Sequence, residues 1–152
     1  MEESRNIHMV RNANIDDIPS LLIMAKKFFK AAKFDGIEYN EESTSKTIQH
    51  LIASHGGLLL VSDNNGVDGM IGALVYPMYF NAAHLTGQEL FWWSEGGIGG
   101  IKLIAEMEKQ AKELGAKTFS MIYLENITPK KLRDFYEKRG YKQSETHYMR
   151  IL

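Results

Sequence analysis

Apolar residues recur along the chain with two periods, and the switches between them mark out its elements. From Ile7 to Ala13 the alternation is that of a short strand. Asn14 then offers a side-chain cap, and Asp16 and Asp17 place acid in a first helical turn. Ile18, Leu21, Leu22, Ala25 and Phe28 or Phe29 follow at helical spacing, with Lys26, Lys27 and Lys30 opposite, which predicts a helix whose apolar stripe joins the core. A second helix over 41–54 rests on a thinner stripe of Ile48, Leu51 and Ile52. Residues 56–80 read as a hairpin of two strands about a turn at Asp63, Asn64, Asn65 and Gly66, and 83–94 reads as a further strand rich in β-formers.

The helical period is clearest from Ile101 to Leu114. Leu103, Ile104, Met107, Ala111 and Leu114 share a face, charged residues take the other, and Gly115 suits the position just past the end. Phe119, Met121 and Tyr123 alternate through a strand over 116–126, and Thr128 with Pro129 reads as an N-cap and first position of a helix ending near Gly140. A closing strand over 141–152 completes the order β-α-α-β-β-β-α-β-α-β, a mixed α/β chain without internal repeats.

At 152 residues, a single domain spanning 1–152 is expected. The 18 Lys and Arg against 19 Asp and Glu leave no field to hold a polyphosphate backbone, so nucleic acid is not the expected partner. The absence of Cys excludes thiolate catalysis, disulfides and Cys-ligated zinc, and the five His residues lack ligand spacing, so no metal is expected. The first ten residues carry acid without an apolar signal core, and no run of 18 apolar residues occurs; a cytoplasmic protein with no membrane partner is the expectation.

The candidate chemistry lies in SEGGIGGIKL, residues 94–103, where a strand runs through glycines into the clearest helix. Such a junction aims unpaired backbone N–H groups from a positive helix end, and missing Cβ atoms let an anion approach. A mononucleotide P-loop fails because Gly100 is followed by Ile101 and Lys102 with no hydroxyl for magnesium, and a dinucleotide fingerprint fails because Lys102 stands where its third glycine belongs.

The segment Glu95–Gly100 instead resembles the pyrophosphate loop of the GNAT acyl-CoA N-acyltransferase superfamily, Q/R-x-x-G-x-G/A followed by an amphipathic helix. Taking Gly100 as the final small residue puts Leu103, Ile104, Ala111 and Gly115 in that family's phase. Glu95-Gly96-Gly97 is similar to the R-G-G-x-x-G form of some members, including phage-encoded ones, with acid in place of base and Ile98 in place of the middle glycine. Arg11, Ala13, Asp17 and Leu21 match the family's R-x-A-x-x-x-D-x-x-x-L opening, and residues 132–142 resemble its Tyr-Glu-Lys-x-Gly-Phe segment.

The resemblance implies a splayed, mostly antiparallel sheet flanked by helices. It also implies direct transfer of acetyl from acetyl-CoA to a primary amine of a small molecule or protein. Such an amine, with a pKa of about 10.4 when free, must lose a proton first. By resemblance Glu89 is the candidate base, with His84 a second choice, and Tyr136 donates to the departing sulfur. Leu90, Phe91 and Trp92 then carry main-chain donors for the oxyanion, and coenzyme A is held by Glu95, Gly96, Gly97, Ile98, Gly99, Gly100 and Ile101, with Asn126 at the end of its strand. Phe34, Tyr39 and Trp93 are candidate acceptor contacts.

Each position has a plainer reading. Tyr136 also fits an aromatic anchor between helix and sheet, and Glu89 a solvated strand-end acid. Phe34 and Tyr39 also fit core positions, and the two tryptophans, on opposite faces of one strand, also fit packing between splayed strands, with one of them expected to face solvent or ligand. An acid beside a diphosphate repels it, so Glu95 either turns away or weakens the cofactor, which motivates the alternative of a catalytically inactive binding or regulatory module of the same fold. Dimers are common in the family, which leaves a homodimer open.

Overall fold

Asn14 begins the first helix by reciprocal capping: its Oδ1 accepts from Asp16 N at 2.9 Å, while Asp17 Oδ2 accepts from Asn14 N at 2.9 Å. The computed structural model that gives this geometry describes residues 9–96, 98–125 and 129–152. Asp17 is also gripped by both terminal nitrogens of Arg11, at 2.7 and 2.9 Å, and the Arg11 guanidinium holds its carboxyl below the usual range. That fork ties strand β1 (Met9–Asn12) to the 3-10 turn Ile15–Asp17 and so to helix α1 (Ile18–Ala32).

Helix α2 (Glu41–Ala53) follows, capped by the Asn40 side chain accepting from Ser43 N at 2.8 Å. Strands β2 (Gly57–Asp63) and β3 (Val67–Met78) form the hairpin, and β4 (Asn81–Ser94) turns back along β3. Helix α3 (Gly99–Glu113), strand β5 (Ala116–Ser120) and helix α4 (Lys130–Lys138) complete the elements. The sheet runs β1-β2-β3-β4-β5 in space, antiparallel except for the parallel β4–β5 pair.

Both faces of this sheet are covered, which is why Leu58–Val61 is an unbroken apolar run. Leu58 and Leu60 join Ile71, Leu103, Ile104 and Met107 beneath α3. Leu59 and Val61 face the other way and pack with Leu21, Met24, Ile48 and Leu51 of α1 and α2. One residue of register decides which helix layer each side chain meets.

Several sequence expectations are corrected. Residues 141–152 form no strand: Lys142–Arg150 are exposed and unpaired in any ladder, because this stretch lacks the apolar alternation that would give it a face to bury. Only Tyr141 packs inward, while Ile151 lies against Gly36 in the α1–α2 loop, where a Cβ on the glycine would fall 2.6 Å from Ile151 Cδ1. Strand β5 ends at Ser120, six residues before the expected position 126. Pro129 sits at the cap of α4 with ψ 138° and is not its first helical residue; Thr128, the expected cap, lies outside the described residues. Helix α3 begins at Gly99, two residues before Ile101, so Gly99 and Gly100 belong to its first turn. No helix among the described residues is long and apolar enough to cross a membrane.

Candidate active site

The site originates in a bulge. Gly72 of β3 faces Phe91 while the next residue, Ala73, faces Glu89, so Leu90 is an extra residue on β4. The parallel pairing of β4 with β5 stops at Gln88 opposite Ser120, and past that point β4 runs on to Ser94 with no strand on that side among the described residues. Glu89 to Ser94 therefore present a free strand edge, and the edge leads into the glycines before α3.

Glu89 closes the inner end of this opening. Its Oε2 accepts from Ile122 N at 3.0 Å, across the gap that the splayed strands leave. The residue is 4% exposed, so the reading as a solvated strand-end acid is overturned. Burial pushes its carboxyl up to about 7, the Ile122 N–H offsetting only part of the lost hydration.

Tyr136 of α4 donates to Ile122 O at 3.0 Å, so the two residues nominated for proton transfer grip the N–H and the carbonyl of a single backbone residue. Its phenol is buried, and burial followed by the nearby Glu89 and Tyr141 drives it well above its ordinary range. The ring also packs in the core beneath α3, so the anchoring role is real whatever else the hydroxyl does. Trp92 is 6.5 Å from this ring and Tyr141 is 5.7 Å from it, centre to centre. Trp92 Nε1 and the Tyr141 hydroxyl are buried with no hydrogen-bond partner among the described residues. Donors left unpaired beside a strand opening suit a polar ligand threading through it.

The tryptophans do point to opposite faces, Trp92 to the α3 layer and Trp93 to the α1–α2 layer. Both are half-buried, so neither faces open solvent. His84, the second choice for base, is half-buried and hydrogen-bonded to Thr118 Oγ1 at 3.0 Å.

The glycines divide by role. Gly96 has φ +125° with open space around it, so it is a backbone requirement that leaves room beside the chain. Gly100 is a packing requirement: a Cβ there would sit 3.0 Å from Ser94 Cβ, because the first turn of α3 lies against the end of β4. Ile98 caps α3 without a side-chain hydrogen bond, and the first turn holds no acid, so the positive helix end is not neutralised locally. Ile101 projects outward in that turn. Gly97 and Asn126 lie outside the described residues.

Glu95 turns toward α1, where its Oε1 meets Lys27 Nζ at 2.7 Å, and that hydrogen bond is the main reason its carboxyl falls below the usual range. By spacing, Lys27 falls on the polar side of its helix, and nothing there signals a partner 68 residues away.

On the other face of the sheet a cavity of about 180 Å³ opens between α1, α2 and the β3–β4 pair. Phe34 and Tyr39 line it, as do Phe28, Phe29 and Phe91; Trp93 does not. Phe91 lies over Gly72, where a Cβ would fall 2.4 Å from the ring, so the glycine is what lets the ring lie flat as the cavity floor.

These features, a five-strand sheet splayed after a bulge on its fourth strand and an uncapped helix start beyond it, define the GNAT fold. Solved structures align over nearly the whole chain. An aminoglycoside acetyltransferase from an uncultured soil metagenomic sample, in complex with trehalose, superposes with a TM-score of 0.72 at 15% identity, over 99% of each chain. A predicted acetyltransferase with acetyl-CoA from Clostridium acetobutylicum gives 0.72 at 17% identity, over 96% of each chain. A transcriptional regulator from Bacillus halodurans gives 0.69 at 18% identity, over 96% of this chain and all of that one. No protein-family model and no curated protein sequence matches the chain.

Proposed function

We propose that this protein is an N-acetyltransferase that moves an acetyl group from acetyl-CoA to a primary amine of a small molecule or protein, within a ternary complex. The observation that carries the reading is Glu89: a buried carboxyl, raised to about 7, at the inner end of a free strand edge. A base poised near neutral pH is what deprotonation of an amine needs.

The residues present fit acetyl-CoA. The edge of β4 at Leu90, Phe91 and Trp92 would hold the pantetheine arm as an added strand holds its neighbour. Main-chain N–H groups of Gly96 and of Ile98 to Ile101, before and in the first turn of α3, would hold the diphosphate. Bound there, the group supplies an activated thioester and a thiol leaving group. Glu89 would take a proton from the amine, main-chain N–H groups of β4 would stabilise negative charge developing on oxygen, and Tyr136 would release Ile122 O to donate toward the sulfur.

The alternative is a binding or regulatory module without catalysis, favoured by the acid retained at the anion loop. Calorimetry with acetyl-CoA separates the two: micromolar binding is expected, and millimolar or absent binding would favour the module. Because Lys27 already compensates Glu95, the Glu95→Gln change frees a cation beside the loop and is expected to tighten binding by about threefold to tenfold at low salt, less as salt rises.

A further inference from the structure

Resting on the acetyltransferase reading, we propose that the acceptor is a primary monoamine with one aromatic or similarly compact apolar group, and that this group occupies the cavity between α1, α2 and the β3–β4 pair. The pocket is open on one side and lined almost entirely by apolar side chains, and an apolar space of about 150 Å³ takes up benzene. The volume here, about 180 Å³, suits one ring and a short side arm.

The lining specifies the chemistry. Rings pack in a chain, Tyr39 on Phe29 at 5.5 Å, Phe29 on Phe34 at 5.5 Å, Phe34 on Phe28 at 6.3 Å and Phe28 on Phe91 at 6.5 Å, all tilted, and tilted faces accept an aromatic guest edge to face. No described lining residue carries a charge. The lining hydroxyls are engaged: Thr44 Oγ1 donates to Asn40 O at 2.8 Å, Thr47 Oγ1 to Ser43 O at 3.1 Å, and the Tyr39 hydroxyl to Leu22 O at 3.4 Å.

A polyhydroxylated sugar or a polyamine entering this space would lose water and gain neither a carboxylate nor a free donor. A monoamine has a single ammonium to desolvate, at the end that reaches β4. Phe91 borders both parts of the site: its ring lines the cavity on one face, and its backbone belongs to the free edge past Gln88, around which the amine would reach Glu89 on the other face. Transfer forms the amide N–C bond and breaks the thioester C–S bond. The ammonium loses two protons, one taken by Glu89 and passed to solvent, the other ending on the coenzyme A sulfur.

The test combines thiol release with calorimetry, using 2-phenylethylamine, spermidine and kanamycin. The aryl amine is expected to be turned over with a kcat/KM at least about fiftyfold above the other two. Ala25→Leu, which fills the cavity from α1, is expected to weaken 2-phenylethylamine binding about tenfold or more and to leave acetyl-CoA binding unchanged. Phe34→Ala enlarges the space and is expected to shift preference toward 2-(1-naphthyl)ethylamine by a similar factor. Equal or faster acetylation of kanamycin or spermidine, or aryl amine binding that ignores both substitutions, overturns the assignment while leaving the acetyltransferase reading intact. Aryl amine binding that Ala25→Leu abolishes, with no thiol release from any amine, overturns the acetyltransferase reading and with it the role as acceptor.

Discussion

Glu89 is the base of the proposed reaction, and its burial has a thermodynamic signature independent of any substrate. The folded carboxyl titrates at about 7 against 4.5 for the ordinary group, so the folded state holds the proton more tightly than the unfolded chain. The stability this provides is present in full below about 4.5 and is lost as pH rises through about 7. Relative to Glu89→Gln, the protein is expected to lose up to about 3 kcal/mol between pH 4.5 and 8, measured by denaturant unfolding across that range. The same substitution should remove the rising limb of the pH–rate profile near 7. Tyr136 makes a different prediction, because its hydroxyl is also a structural tie to Ile122 O. Tyr136→Phe is expected to lower kcat at least tenfold, about 1.4 kcal/mol of barrier, with KM for acetyl-CoA little changed. A loss confined to stability would leave the tyrosine as an anchor only.

Strands β3 and β4 act as one device at the scale of elements. The bulge at Leu90 turns Leu90 and Phe91 toward the α1–α2 layer, and the missing Cβ at Gly72 lets the Phe91 ring lie over the sheet. Gly72→Ala puts a methyl 2.4 Å from that ring, and the ring must move into the neighbouring cavity. A stability loss of about 1–3 kcal/mol is expected, with weaker acceptor binding and unchanged acetyl-CoA binding. An unaltered melting temperature would mean that the ring has another place to go. Gly87 shows the same arrangement on the other side of β4, where a Cβ would meet the Phe119 ring at 2.4 Å, so a glycine on each side of the bulge gives its space to an aromatic ring.

Across the whole molecule, order is concentrated in the sheet and the helices that cover it. The chain beyond α4 contributes Tyr141 to the core and then runs exposed to its end, touching the α1–α2 loop through Ile151 near Gly36. Amide hydrogen exchange should find residues 142–150 unprotected while β2 and β3 exchange only through global opening. Protection across 142–150 matching that of β2 would restore the closing strand that the structure lacks.

What the sequence determined by itself follows from local physics. Residue spacing fixed α1, α2, α3 and the hairpin, because a helix or strand with one covered face must repeat its apolar residues at the period of its backbone. The Asn14 cap, the turn at Asp63–Gly66 and the end of α3 at Gly115 are likewise written in single residues whose preferred backbone angles leave few alternatives. The glycines before α3 were legible as a group, but a glycine is an absence, and only its neighbours say whether that absence serves the backbone, as at Gly96, or packing, as at Gly100. Tertiary structure alone decided the rest: the burial that raises Glu89, its meeting with Tyr136 at Ile122, the Lys27 that turns Glu95 aside, and the cavity that brings the rings of residues 28–39 against Phe91. Those properties depend on which distant groups exclude water from one another, and no period or motif along a chain encodes that directly.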